Sequence, residues 1–247
     1  MGYGLAGIAG RSFLLSSNDE VDFMIHAYKN LTIFGQEVSI NTTHVTTVIV
    51  WLTLVILALI ARRSIMNGDP DKPTGIQNVV EMFVEFLDGM VNNSMGKHAP
   101  KYANYILTIM SFIFLSNISG LFGLRPPTAD YGTTFGLAII TFVLIQYAAI
   151  KTSKFAAFTD LFKPIPLLFP INLIGEFATP LSLSLRLFGN VMAGTIMLAL
   201  WYGLLPWFAK IGLPVFLHGY FDLFSGAIQT YVFSMLTMVF ITDKLNA

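Results

Sequence analysis

Cysteine is absent from the 247 residues, which excludes disulfides, thiolate metal ligands and cysteine nucleophiles together. Charge is scarce: Asp, Glu, Lys and Arg make up only 11%, less than half of the roughly 25% usual in soluble domains. Neither sign is in excess, with 14 basic and 14 acidic residues, so the electrostatics of a nucleic-acid binder are missing. No basic region precedes an apolar core within Met1–Arg11, as a cleaved signal peptide requires. Ala6 stands where a myristoylation signal needs Ser or Thr. Internal repeats and low-complexity tracts are lacking too.

What is present is apolar. Hydrophobic residues make up 55% of the chain and there are 22 Phe, with a mean hydropathy of +0.69. Disordered chains are poor in such residues. The expected fold class is an all-α, polytopic membrane protein in a single integral membrane domain, 1–247.

A spanning helix needs about 20 mostly apolar residues. Such runs place spans at 41–61, 102–124, 132–150, 167–205 and 212–243, after an outer amino-terminal segment at 1–40. Arg62 and Arg63 close the first, and a short Arg125–Asp130 link makes the second and third an antiparallel hairpin. The fourth and fifth exceed one perpendicular crossing, so they must tilt strongly or break. Segment 74–95 differs. Ile76, Val79, Val80, Phe83, Leu87, Met90 and Val91 recur at three- and four-residue steps, with Gln77, Asn78, Glu81, Glu85, Asp88 and Asn92 opposite. That is an amphipathic helix, expected to lie along the interface or to pack on the bundle.

Five crossings put the termini on opposite sides. With the amino terminus outside, Arg62, Arg63, Lys72, Lys97, Lys101, Lys151, Lys154, Lys163 and Lys244 are cytoplasmic, against Arg11, Lys29, Arg125 and Lys210 outside. The positive-inside rule then orients the chain amino terminus out, carboxyl terminus in.

Glu176, Arg186 and Asp222 interrupt the last two spans. A charge at the bilayer centre costs about 2.5–3.5 kcal/mol on insertion scales. Guanidinium cannot deprotonate to escape that cost, so Arg186 needs either a buried acid, Glu176 or Asp222, or work facing water or a partner. Gly175, Ala178, Ser182, Arg186, Gly189 and Ala193 share one helix face. Small residues let another helix approach closely; the face is either ordinary packing within the bundle or a seam for a partner helix. Asn190 follows Arg186 by one turn, and Pro180 leaves the Glu176 carbonyl without its usual donor, favouring a local break. In the last span His218, Asp222, Ser225, Gly226 and Gln229 form a second polar stripe. Gln229 alone is as well explained by an interhelical hydrogen bond; the whole stripe looks more like a wet path. The order by depth is an acid towards each surface with a fixed cation between, as two half-paths require and a continuous pore does not.

The run Leu185-Arg-Leu-Phe-Gly-Asn-Val-Met-Ala-Gly194 closely resembles subunit a of F-type ATP synthases. So do Asn172–Ser184 and Gln229, and the resemblance covers the chain from the first span onward. It implies a membrane stator beside a rotating c-subunit ring, coupling H⁺ or Na⁺ flow to ATP synthesis, with b-type peripheral stalk subunits and the catalytic sector as further partners. By that resemblance Arg186 separates two aqueous half-channels and faces the ring carboxylates. Asn190 and Gln229 line the ion path, and Glu176 belongs to the cytoplasmic half-channel. Some bacterial relatives carry glutamate at Thr195 and histidine at Asp222; in others the acid is on the last helix. This sequence is similar to the second arrangement, with Asp222 as the acid and His218 one turn away.

The resemblance implies no cofactor and no metal, and Gly89…Gly96-Lys97-His98 has the wrong spacing for a phosphate loop, so nucleotide chemistry belongs to partner chains. A self-contained transporter or channel, the alternative, would be supported by internal repeats. A passive anchor would lack the charged seam. The expected location is a bacterial plasma membrane.

Overall fold

The computed structural model describes residues 27–33, 36–67, 75–153, 167, 169–204 and 212–246. Met1–Arg11, the remainder of 1–26, and Lys72, Lys154, Lys163 and Lys210 lie outside them. Strands β1 (Ala27–Ile33) and β2 (Gln36–Asn41) pair as an antiparallel hairpin. Helices follow: α1 (Thr42–Asn67), α2 (Ile76–Met95), α3 (Ala99–Ile118), α4 (Tyr131–Ser153) and α5 (Phe169–Leu204). The last helical run comprises α6 (Leu213–His218), a wide π-helical stretch (Gly219–Ser225) and α7 (Gly226–Asn246). The class is helical and polytopic as expected, with the small hairpin as an addition that the polar 1–40 segment did not announce.

Five helical stretches are long and apolar enough to cross a membrane. The first extends six residues past the expected end at 61, to Asn67, carrying Arg62 and Arg63 on its final turns. The second is continuous with the amphipathic helix. Between them Gly96 adopts φ 52° and ψ −124°, a conformation that a Cβ would oppose. Pro100, in the first turn of α3, gives up no hydrogen bond there.

Helix α3 supplies the centre. Tyr102, Ile106, Ile109 and Ile113, spaced by four, three and four, are all buried. They meet Ala138, Ile145 and Ala148 of α4, Phe233, Met238 and Ile241 of α7, and Leu183 and Leu187 of α5. Against lipid, apolar burial has little driving force, so close approach through small residues carries the packing. Ala138 and Ala148 are wholly buried. The Tyr105 hydroxyl finds Thr141 Oγ1 at 2.8 Å, keeping a polar pair satisfied in the core. In contrast, α1 exposes Trp51, Leu52, Ile56 and Leu59 and turns only Thr43, Thr46 and Val50 inward.

Helix α2 is amphipathic and packs on the bundle over its carboxyl-terminal half. Leu87, Val91 and Met95 pack into the core, whereas Val79 and Phe83 are exposed. Gln77, expected on the open polar side, is buried and donates through Nε2 to Glu81 Oε1 at 2.8 Å. Periodicity separates two faces; only the edge of the bundle decides how far along the helix the apolar face is covered.

The expected break at Pro180 is absent. Helix α5 runs 36 residues through it, about 54 Å at 1.5 Å per residue, nearly twice a ~30 Å hydrocarbon core. Length is therefore accommodated by an oblique path. On either side of the proline, Thr179 Oγ1 donates to the Gly175 carbonyl at 3.3 Å and Ser184 Oγ to that of Leu181 at 2.9 Å. In the last run the irregularity lies instead at Gly219–Ser225, where nothing in the residue pattern marked it.

Candidate functional site

Gly175, Ala178, Ser182, Arg186, Gly189 and Ala193 of α5 are all exposed. A Cβ built on Gly175 or Gly189 would meet no other atom within 4 Å. Among the described residues the small-residue face therefore does not serve packing; its other side, through Pro180, Leu183, Leu187, Gly194 and Leu198, is the buried one. Between α5 and α7 the seam borders a cleft of ≈ 240 Å³, lined by Gly175, Ala178, Ser182, Arg186, Leu236 and Phe240 among others. That volume holds several waters.

Among the described residues no carboxylate pairs with Arg186. Glu176 is engaged elsewhere: Lys244 Nζ donates to its Oε1 and Gln146 Nε2 to its Oε2, the latter at 2.8 Å. Three helices, α4, α5 and α7, meet at that carboxylate. Asp222 is engaged too, with Oδ2 2.6 Å from His218 Nδ1. Tyr202, from the far end of α5, brings its hydroxyl to 3.3 Å from His218 Nε2. One tautomer serves both contacts: Nδ1–H donates to the carboxylate and Nε2 accepts from the phenol. The buried ion pair that would have made Arg186 a structural charge is thus not formed with either acid.

Asn190 is exposed and its Nδ2 donates to the Arg186 carbonyl at 3.1 Å, so its amide lies on the Arg186 side of the helix. Thr195 turns its hydroxyl back to the Val191 carbonyl at 2.9 Å. Gln229 is half-buried, without a hydrogen-bond partner among the described residues. In the π-helical stretch a turn takes more residues than in an α-helix. Asp222 in that stretch and Gly226, the first residue of α7, face the end of α3 and the turn after it, against Gly120 and Asn117. No group of three or more His, Asp or Glu side chains suited to a metal ion occurs among the described residues.

Several residues in these clusters carried little signal in the sequence. Gln146 is a lone amide in an apolar span, visible but without a partner until α5 is placed. Lys244 counted only towards topology. Tyr202 is 16 residues from His218, too far along the chain for a spacing rule to pair them. Glycine at 120 gains meaning only from the carboxylate above it.

Residues 44–242 match the family model described as ATP synthase A chain. A curated relative from Propionigenium modestum, "ATP synthase subunit a, sodium ion specific", is 40% identical over 219 residues, covering 82% of this chain and 74% of that one. The "ATP synthase subunit a" of Priestia megaterium is 40% identical over 191 residues, 71% and 81% of the two chains. That of Bacillus subtilis is 32% identical over 246 residues, 90% and 99%.

Proposed function

The chain belongs to the ATP synthase subunit a family, and from that premise we propose that it is the stator at which Arg186 faces the ion-carrying carboxylates of a turning c-subunit ring. The observation that carries this reading is the exposed guanidinium, with no acid beside it among the described residues, on a seam of small residues. A cation left uncovered at that depth is costly unless a carboxylate from another chain comes to it. Glycine and alanine leave a smooth surface, so a rotor helix can come close without side chains locking into it.

The chemistry follows from charge. An opposite charge within a few ångströms lowers a carboxyl pKa by about 1–3 units. A loaded ring carboxylate arriving at Arg186 therefore releases its ion, and an emptied one stays attracted to the cation. Because guanidinium keeps its proton, Arg186 neither carries ions itself nor lets them pass along the seam. Each elementary charge crossing 100 mV carries about 2.3 kcal/mol, so several are pooled by rotation for one ATP made on the catalytic sector.

Two half-paths reach this point. The Glu176 cluster and the cleft beside Ser182 and Arg186 belong to the cytoplasmic one. Asp222, His218 and Tyr202, with Asn190, Gln229 and Thr195 towards the middle, belong to the outer one. The chain itself then lies amino terminus out in a bacterial plasma membrane, held by b-type stalk subunits.

Arg186→Ala in membrane vesicles tests the reading. Coupled ATP synthesis is abolished and passive proton flux rises, while insertion and assembly persist because an expensive charge is removed. Wild-type synthesis by an assembled Ala variant would refute it.

A further inference from the structure

Two glycines make reciprocal close approaches where the end of α3 meets the π-helical stretch. A Cβ on Gly120 would lie 2.9 Å from both Cγ and Oδ1 of Asp222 and 3.0 Å from Oδ2. Three near-equal distances mean that the carboxylate lies flat across the open face of the glycine. Four residues beyond Asp222, a Cβ on Gly226 would lie 2.8 Å from Cβ of Asn117. Each segment thus offers one bare backbone site to one polar side chain of the other.

The second contact is fastened. Asn117 Nδ2 donates to the Gly226 carbonyl at 3.0 Å, and Asn117 Oδ1 accepts from Thr128 Oγ1 at 2.6 Å. Asn117 is 2% exposed and Thr128 is wholly buried. Both are expensive to leave unpaired, so the link between α3 and α4 is tied to the last helix immediately after its wide turn. The groups facing Asp222 are His218 on its own helix and, behind it, Tyr202 of α5; from α3 it meets bare backbone at Gly120.

We infer that the end of α3 is a seat for the Asp222 carboxylate, with Gly120 as its positioning residue and the Thr128–Asn117–Gly226 chain of hydrogen bonds holding the seat at its height. The inference rests on Asp222 being the acid of the outer half-path. Asp has one methylene, so its carboxylate cannot retreat from an added Cβ and keep the 2.6 Å contact with His218. Backbone retreat is opposed by the Asn117 tie. Gly120→Ala therefore separates Asp222 from His218, and Thr128→Val, nearly isosteric, loosens the seat without adding bulk.

ATP-driven proton pumping is measured across pH in inverted vesicles carrying the whole complex, with assembly checked, for Gly120→Ala, Thr128→Val and Asp222→Asn. The expected result is that Gly120→Ala slows pumping roughly ten-fold and displaces its pH profile by about one unit. Thr128→Val displaces it in the same sense by less, and decides alone if Gly120→Ala does not assemble. Assembled variants whose profile keeps its position, whatever its height, overturn the seat while Asp222→Asn still slows pumping. Wild-type pumping by Asp222→Asn removes the outer-path reading and the seat with it.

Discussion

Glu176 gives its carboxylate to Lys244 and Gln146, and Arg186, ten residues further along the same helix, is left without an acid among the described residues. Ten residues are about 15 Å of helix, so the two charges of α5 act separately. Lys244 pins α7 to α5 at one end of the cleft, and the cation at the other end faces outward. A charge that no described residue neutralises, on a face that no described residue covers, calls for a partner from elsewhere.

Arg186→Lys separates charge from geometry. Lysine keeps a cation but loses the planar fork and deprotonates when desolvated. ATP synthesis stays near that of the Ala variant, while passive proton flux falls back towards wild type. Both are read in the same vesicles; full synthesis with lysine would reduce the requirement to charge alone.

Gly189→Leu should leave this chain intact and disable the machine. No atom of the described residues lies within 4 Å of the added Cβ, and leucine is the better helix former by roughly 0.5–1 kcal/mol. Expression and thermal stability of the isolated chain are therefore unchanged or slightly higher. Synthesis drops at least ten-fold because the rotor helix can no longer approach. Loss of the chain's own stability would put the seam back inside the bundle.

Because the sequence has no cysteine, Ser182→Cys gives a single reporter on the cleft. A membrane-impermeant thiol reagent labels it from the cytoplasmic side, and labelling slows when Glu176→Gln or Lys244→Gln loosens the cluster that holds the mouth in place. Labelling only from the outer side would invert the depth order.

Asp222→Asn slows pumping, and His218→Ala adds little to it. The two side chains are 2.6 Å apart, and residues in direct contact deviate from additivity by 0.5–3 kcal/mol. Independent, multiplying losses in the double variant would show that they act on separate steps.

Much of this was legible in the residues. Membrane helices advertise themselves by length and by missing charge, since the bilayer tolerates little else. The seam around Arg186 was also legible, because its spacing is that of one uninterrupted helix. Periodicity could not say whether the seam faced inward or out, and it put Gln77 on the open polar side for the same reason. The break expected at Pro180 does not occur, since one lost donor leaves the rest of the 36-residue ladder of α5 intact.

By itself, then, the sequence determined five apolar helical crossings, a lone guanidinium on a small-residue face, and an acid to either side of it. Those properties depend on transfer energies and on a period of 3.6, both local. Tertiary structure alone decided which cation answers which acid. Lys244 is 68 residues from Glu176 and Asp222 is about a hundred from Gly120, and no local rule relates groups so far apart. Their pairing follows from how the helices cross, from one wide turn at Gly219–Ser225, and from two glycines bare enough to let the chains meet.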